Sequence, residues 1–476
     1  MKRTALHACV LVYAFVQLLP LAQEARVAQA NSVVSHTVVA ASGSQAPAGG
    51  NYLSLSFLNA RLNARHEVAF DAFVGGPPFT TGVFVGDGRT TSTIALGANP
   101  DPAAPSFGAV FNPFITSNGD VVFQANSSDI FASHGTTIIP LVRNGDQAPG
   151  GGIVTPTAAF AVNDHGVLVY RAHISGSTAT QGIFSTDATQ TVAIVRDDNE
   201  VPTGGRFTSL FGDPVINDRG QVAFFAEMSD GPADFGIFRG EGSGLTPVFV
   251  ANQIAPGGAT FEDFGSPVIN SHGEVAALAS LTNGASAGLF VGDGTDAVAI
   301  ALQGQPAPKG GNYRAQNTFP GAIRLNDRGD VAFAARLAGG ANSSGIFRGN
   351  GDRTTTIALA GTPAPGTSGM FESFDDIKLG IDGRVAFVAT LAVGVGGVDA
   401  SNNRGIWIGA SDDDLELVVR TGQVIGGNVL TRLPQFGQGN QFDMNQNGLL
   451  WVGSFGSAKA IVFSRILGRN NVVDER

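Results

Sequence analysis

Short apolar runs alternate with turns rich in Asn, Asp and Gly along nearly the whole chain. In Gln221–Ala226 one face carries Val222, Phe224 and Ala226 and the other carries Ala223 and Phe225. Apolar residues on both faces predict a strand inside a sheet that is covered on both sides. The turn before it, Asn217-Asp218-Arg219-Gly220, predicts a tight hairpin, because Asn opens turns through its side chain and Gly accepts φ > 0.

This unit repeats. Val215–Phe224 has counterparts at Ala161–Tyr170, Val268–Ala277, Arg324–Phe333 and Lys378–Phe387, with weaker versions at Arg61–Phe70, Phe114–Phe123 and Asp443–Val452. The turn position falls at His66, Gly119, Gly166, Gly220, Gly273, Gly329, Gly383 and Gly448. Each copy continues with a Gly-Ile-Phe-type strand (Gly236–Gly240, and at Gly82, Gly182, Gly288, Gly345 and Gly405). A fourth strand such as Ala297–Leu302 follows, and then an Ala-Pro-x-Gly-Gly loop such as Ala307–Gly311. The loop is expected to be a long crossing to the next sheet.

Four antiparallel strands per period of about 50 residues, each sheet unable to bury both faces alone, predict radial stacking into a ring. The fold class is all-β: an eight-bladed β-propeller of four-stranded antiparallel blades. The chain starts with an unpartnered fourth-type strand, His36–Ala41, and ends at a third-type strand, Ile461–Ile466. The expectation is that the N-terminal strand completes the eighth blade and closes the ring.

The turn-Gly hairpin, the Val/Ile-Ala-Phe strand and the aromatic third strand make the unit resemble the WD40-like repeat of TolB-type propellers, across the whole mature chain. It has Asn-Asp-Arg-Gly where those repeats have Ser-Pro-Asp-Gly, and the resemblance implies fold, not a TolB-like role. The pattern is also similar to that of uncharacterised secreted bacterial tandem-repeat proteins, which implies no activity. Kelch and sialidase signatures are missing. The Trp docking motifs of eight-bladed quinoprotein dehydrogenases are missing too, with Trp407 and Trp451 the only tryptophans.

Composition fits strands and turns. Charged residues are 14% against about 25% in average soluble proteins, Gly numbers 65, and Phe outnumbers Tyr and Trp together by 33 to 6. Lys2 and Arg3, the apolar run Ala5–Ala22 and Ala28-Gln29-Ala30 read as a signal peptide over residues 1–30. The expected product is a single propeller domain over 31–468 and a polar tail over 469–476, secreted or periplasmic, monomeric and without a membrane span. The single cysteine, Cys9, lies in the signal segment, so the mature chain offers no disulfide or thiolate. Its 25 basic and 38 acidic residues give a net charge of −13, which excludes the basic footprint of a nucleic-acid binder.

Candidate chemistry is sparse. His165 and His272 precede turn glycines and read as turn residues. His66 replaces the turn Gly, where φ > 0 would strain it. There is no nucleophile elbow, P-loop or zinc-spaced His pair. The acidic runs Asp197-Asp198-Asn199-Glu200 and Asp412-Asp413-Asp414 are calcium candidates. Glu262 with Asp263, and Glu372 with Asp375 and Asp376, read as solvated loop charge.

One position departs from the repeat. Two residues before the turn-opening site, the copies read Arg61, Phe114, Ala161, Val215, Val268, Arg324, Lys378 and Asp443, while the next position is apolar in all eight. The polar members fall on units six, seven, eight and one, contiguous once the ring closes. On the innermost strand they would line one arc of the central channel. A basic arc in an acidic protein points to an anionic ligand such as an acidic sugar; an ion-pair network around Asp443 is the alternative. The functional reading is an exported, non-catalytic binding or scaffold propeller for a polysaccharide or envelope protein, needing no cofactor. The other reading is a carboxylate-dependent carbohydrate-active hydrolase or lyase. That enzyme needs two inward carboxylates on neighbouring blades, and the inner-strand candidates Asp443 and Asp213 lie on distant units.

Overall fold

The computed structural model describes residues 34–53, 59–76, 79–98, 107–242, 244–314, 323–435 and 441–466. The signal segment and the polar tail lie outside the described residues. All described regular structure is strand: eight antiparallel blade sheets arranged as a ring and one separate two-stranded hairpin. Among the described residues no helix is long and apolar enough to cross a membrane.

Blade 4 shows the unit. Arg206–Ile216 is innermost, followed outward by Val222–Ser229, Phe235–Glu241 and Gly244–Val250. The inner strands of neighbouring blades touch one another around the axis. Burial on both faces follows the expected alternation: Val222, Ala223, Phe224 and Ala226 have no solvent exposure. The apolar core lies between blades. Val169 and Ile183 of blade 3, Phe224 and Phe238 of blade 4 and Phe261 and Phe290 of blade 5 belong to one cluster.

The Gly-Ile-Phe motif has a steric cause. A Cβ on Gly288 would sit 2.6 Å from the ring of Phe290, and one on Gly236 would sit 2.8 Å from Phe238. The aromatic ring folds back over the glycine two residues earlier, where a shift in strand register occurs between Leu289 and Phe290 and between Ile237 and Phe238. Only glycine leaves room for the ring.

The crossings between blades differ from the long loops expected. Ala255-Pro256-Gly257-Gly258-Ala259 is a tight turn, with the Ala255 N–H donating to Ala259 O (2.8 Å) and Gly258 N–H to Ala255 O (2.9 Å). The residues after it, Thr260–Phe264, already pair with the second strand of blade 5. Among the described residues the same compact hairpin recurs, as at Gln147 opposite Ile153, Glu200 opposite Arg206 and Pro306–Ala307 with Gly311–Tyr313. The inner strand then bulges before reaching the turn, between Phe211 and Val215 in blade 4 and between Phe374 and Ile377 in blade 7.

The N-terminal strand closes the ring. Val34–Ala41 pairs antiparallel with Ala458–Ile466, from Val34 opposite Ile466 to Ala41 opposite Ala460. Blade 8 is therefore Phe442–Asn445, Gly448–Phe455, Ala458–Ile466 and Val34–Ala41.

A second device joins the blades on the turn face. The turn-opening Asn uses both ends of its side chain. Asn217 Oδ1 accepts the N–H groups of Arg219 (3.1 Å) and Gln221 (2.9 Å), capping its own turn. Its Nδ2 donates to Asn270 O of the next blade (2.8 Å). The same clasp runs from Asn63 to Thr116 O, Asn163 to Asn217 O, Asn270 to Asn326 O, Asn326 to Gly380 O and Asn445 to Asn63 O. Thr116 and Gly380 occupy the remaining two positions and carry no amide, so the seams between blades 2 and 3 and between blades 7 and 8 lack the clasp.

His66 does adopt φ 68°. Its ring packs on Phe463 of blade 8 (centroids 5.2 Å apart), and its Nδ1 lies 3.3 Å from Asn445 Nδ2. A left-handed non-glycine residue costs about 1–2 kcal/mol, and an aromatic contact returns about 0.5–1.5 kcal/mol. His66→Gly is therefore expected to leave stability nearly unchanged. His66→Ala keeps the strain, loses the ring and should lower stability by about 1 kcal/mol. Chemical denaturation of the three proteins checks this order; an Ala variant as stable as wild type contradicts it.

Candidate functional site

The residue before each turn-opening position (Leu62, Ile115, Val162, Ile216, Ile269, Leu325, Leu379 and Met444) packs against the inter-blade core. The residue before that faces the ring axis. On one side it is apolar: Phe114, Ala161, Val215 and Val268. On the other it is Arg324, Lys378, Asp443 and Arg61, from blades 6, 7, 8 and 1, all half-buried. These four stand on one side of the channel. Arg61 and Arg324 stand on blades 1 and 6, yet each lies within electrostatic reach of Lys378, and of the other.

Among the described residues Asp443 forms no ion pair, although it acts electrostatically on Arg61 and Lys378. Asp443 is spent on backbone: Oδ2 accepts the Leu62 N–H of the next blade (3.1 Å) and Oδ1 accepts the Met444 N–H (2.9 Å). The one ion pair in the arc joins Arg324 Nη2 to Asp376 Oδ1 at 3.2 Å, while Arg324 Nη1 donates to Ile323 O. The Arg61 guanidinium lies over the Phe114 ring, 4.7 Å from its centroid. Lys378 Nζ has no hydrogen bond and no ion pair among the described residues. Burial, with Arg324 beside it, pushes its ammonium down to about 8, against the opposing pull of Asp443 and Asp376. Burial lowers Arg61 as well, and Asp443 and Asp71 oppose that shift.

Sequence reasoning misplaced two residues. Asp375 and Asp376 read as loop charge, but they sit in the inner-strand bulge of blade 7. From there Asp376 holds Arg324, and Asp375 Oδ2 takes a 2.7 Å bond from Arg404 Nη2. Asp213 lies exposed in the blade 4 bulge, remote from Asp443 in ring order.

The calcium candidates are engaged elsewhere. Asp197 accepts Thr180 N–H and Oγ1–H. Asp198 accepts Thr178 Oγ1–H and pairs with Arg196 (3.4 Å). Glu200 is exposed and pairs with Arg206 through backbone. Lys309 of blade 6 pairs with Asp412 at 2.9 Å and with Asp413 at 3.9 Å, and Asp414 accepts the Ala410 N–H. Among the described residues no three His, Cys, Asp or Glu side chains are grouped to hold a metal ion. His165 and His272 are turn residues as expected, their N–H groups donating to Asn163 and Asn270.

Ring, blades and channel define an eight-bladed β-propeller with a one-sided polar channel. The chain belongs to a family of unknown function, DUF7453, whose family model matches residues 13–286 and 139–459 in two overlapping stretches. No curated protein matches the sequence. Among solved structures the chain is similar to the Dos1 propeller (10% identity, 90% of this chain and 95% of that one, TM-score 0.43). It is also similar to Sqt1 of Saccharomyces cerevisiae (8% identity, 86% and 97%, TM-score 0.40). A puromycin-hydrolysing peptidase of Mycobacterium tuberculosis is 12% identical over 82% of this chain, with TM-score 0.42. The chain spans 59% of that peptidase's length. These likenesses carry no activity to this chain.

Proposed function

We propose that the protein is an exported, non-catalytic binding propeller whose channel arc seats an anionic group of a polysaccharide or an envelope protein. The carrying observation is Lys378: an ammonium with no hydrogen bond or ion pair among the described residues, within electrostatic reach of two arginines in an acidic protein. A fixed cation deprived of water and of a carboxylate gains from an incoming anion. Neither Arg61 nor Lys378 forms an ion pair with Asp443 among the described residues, and Lys378 makes no hydrogen bond there, so Asp443 offsets their charge only from a distance.

The test is calorimetric titration with alginate oligosaccharides and polygalacturonate at pH 7. Wild type is expected to bind one of these anionic polymers, and Lys378→Met is expected to weaken that binding at least tenfold with its melting temperature kept. Affinity should also decline as pH rises from 7 to 9, since Lys378 loses its charge around pH 8. Binding that is unchanged in Lys378→Met, or unchanged across that pH range, overturns the proposal.

One observation favours the second reading, a carbohydrate-active enzyme. Asp376 and Asp443 occupy neighbouring blades 7 and 8, and both act on Lys378, a placement in keeping with the paired carboxylates of such an enzyme. Shortening of a bound polymer by wild type, but not by Asp443→Asn, would establish that reading instead.

A further inference from the structure

A second polar cavity opens away from the channel, between blades 7 and 8. Its volume is about 350 Å³, within the range of small-molecule sites. Arg404, Thr421, Thr431, Arg432, Gln441 and Lys459 are among its walls. They come from the third-strand start and fourth-strand end of blade 7, the crossing to blade 8, and blade 8 itself. The crossing opens with a short hairpin, Val424–Ile425 with Asn428–Val429, like those between other blades, but the turn positions on either side, Gly383 and Gly448, are 65 residues apart, so the wall around Arg432 is additional to the repeat.

Three features of the cavity are not explained by folding. The Arg432 guanidinium and the Lys459 ammonium have no ion pair and no side-chain hydrogen bond among the described residues. Gln441 is 7% exposed, and its amide makes no hydrogen bond among the described residues, although its backbone oxygen accepts the Val452 N–H. Arg404 places Nη1 on Thr390 Oγ1 and Nη2 on Asp375 and Pro434 O, yet its Nε is buried without a partner. The Gln441 amide therefore keeps its donor and acceptor free for a ligand, while the buried Arg404 Nε is a donor left unmatched by the fold.

We propose that this cavity binds a carboxylate-bearing sugar, a uronate. Two cations without partners among the described residues, Arg432 exposed and Lys459 half-buried, suit a carboxylate. The Gln441 amide, offering both donor and acceptor, suits the hydroxyls of a sugar ring, while the Thr421 and Thr431 hydroxyls are held by backbone and shape the wall. The two cations stand at the wall facing solvent, where a carboxylate would enter, and the amide lies deeper. The site is independent of the channel: Asp375 turns to Arg404 and Asp376 to Arg324, so one bulge separates the two clusters.

Saturation-transfer NMR and calorimetry with monomeric D-galacturonate, D-galactose and inorganic phosphate test the site. Wild type is expected to bind galacturonate, with galactose and phosphate each at least tenfold weaker. An Arg432→Ala/Lys459→Ala variant should lose galacturonate at least tenfold without change in melting temperature, since neither side chain holds a partner. Gln441→Glu, which puts a negative charge in the cavity, should lose it too. Lys378→Met should bind galacturonate like wild type, which keeps this result separate from that of the channel. Galacturonate binding that survives both cavity variants, that falls only in Lys378→Met, or that phosphate matches overturns the proposal.

Discussion

Deleting residues 31–45 is expected to abolish cooperative thermal unfolding, leaving a chain that binds hydrophobic dyes and aggregates. The described part of that segment supplies the whole outer strand of blade 8, paired from Val34 opposite Ile466 to Ala41 opposite Ala460. It also contributes core. Val39 and Ala40 are 7% and 6% exposed and cluster with Val68, Phe70 and Phe84 of blade 1 and Leu450, Val452 and Ile461 of blade 8. His36 Nδ1 meets Ser464 Oγ at 2.8 Å, and the Trp451 indole donates to the same oxygen at 2.7 Å. Without the strand, Ala458–Ile466 becomes an open edge and blades 8 and 1 are no longer linked through it. Ring closure here joins residues over 400 positions apart in the chain, so no local structure replaces it. Calorimetry and circular dichroism of the deletion decide the point; a melting temperature equal to wild type would sink the latch.

What could be read from the sequence, and what could not, divides by range. Contacts inside one hairpin repeat with the chain and are visible in it: the Asn217–Gly220 turn, the alternation in Gln221–Ala226 and the Gly-Ile-Phe strand all predicted the observed blade. The arc Arg324, Lys378, Asp443 and Arg61 was legible because a repeat displays its exceptions. Contacts between blades were not. The Asn Nδ2 clasp spans one repeat, from Asn217 to Asn270, and periodicity does not say where a side chain's second end points. A signal was nonetheless present. Asp or Ser would cap the turn as well as Asn, yet six of the eight positions hold an amide, which implies use of a donor. Asp375 and Asp376 were missed because a strand bulge interrupts alternation and looks like a loop. The cavity beside Gln441 rests on the added stretch of the crossing between blades 7 and 8, where no other copy exists for comparison.

Asn217→Ala is expected to destabilise the protein by about 3–5 kcal/mol, far more than an ordinary surface change. Asn217 is 6% exposed. Its removal strips the acceptor from the Arg219 and Gln221 N–H groups, the donor from Asn270 O and the partner from Gln221 Oε1. Each such buried orphan costs about 1–3 kcal/mol. Blade 2 shows how to separate the turn from the clasp. There Thr116 Oγ1 accepts the Asp120 N–H at 3.1 Å, so a hydroxyl caps the turn and no amide reaches blade 3. Asn217→Thr should therefore keep the cap and lose the clasp, for a smaller loss of about 1–2 kcal/mol. In reverse, Thr116→Asn should add a clasp to Asn163 O and raise stability by up to about 1 kcal/mol. Denaturant titration of the three variants gives the order Thr116→Asn, wild type, Asn217→Thr, Asn217→Ala. If Asn217→Thr matches wild type, the clasp contributes nothing and the amide serves only its own turn. If it matches Asn217→Ala, the turn cap contributes nothing, and adhesion between blades rests on the amide alone.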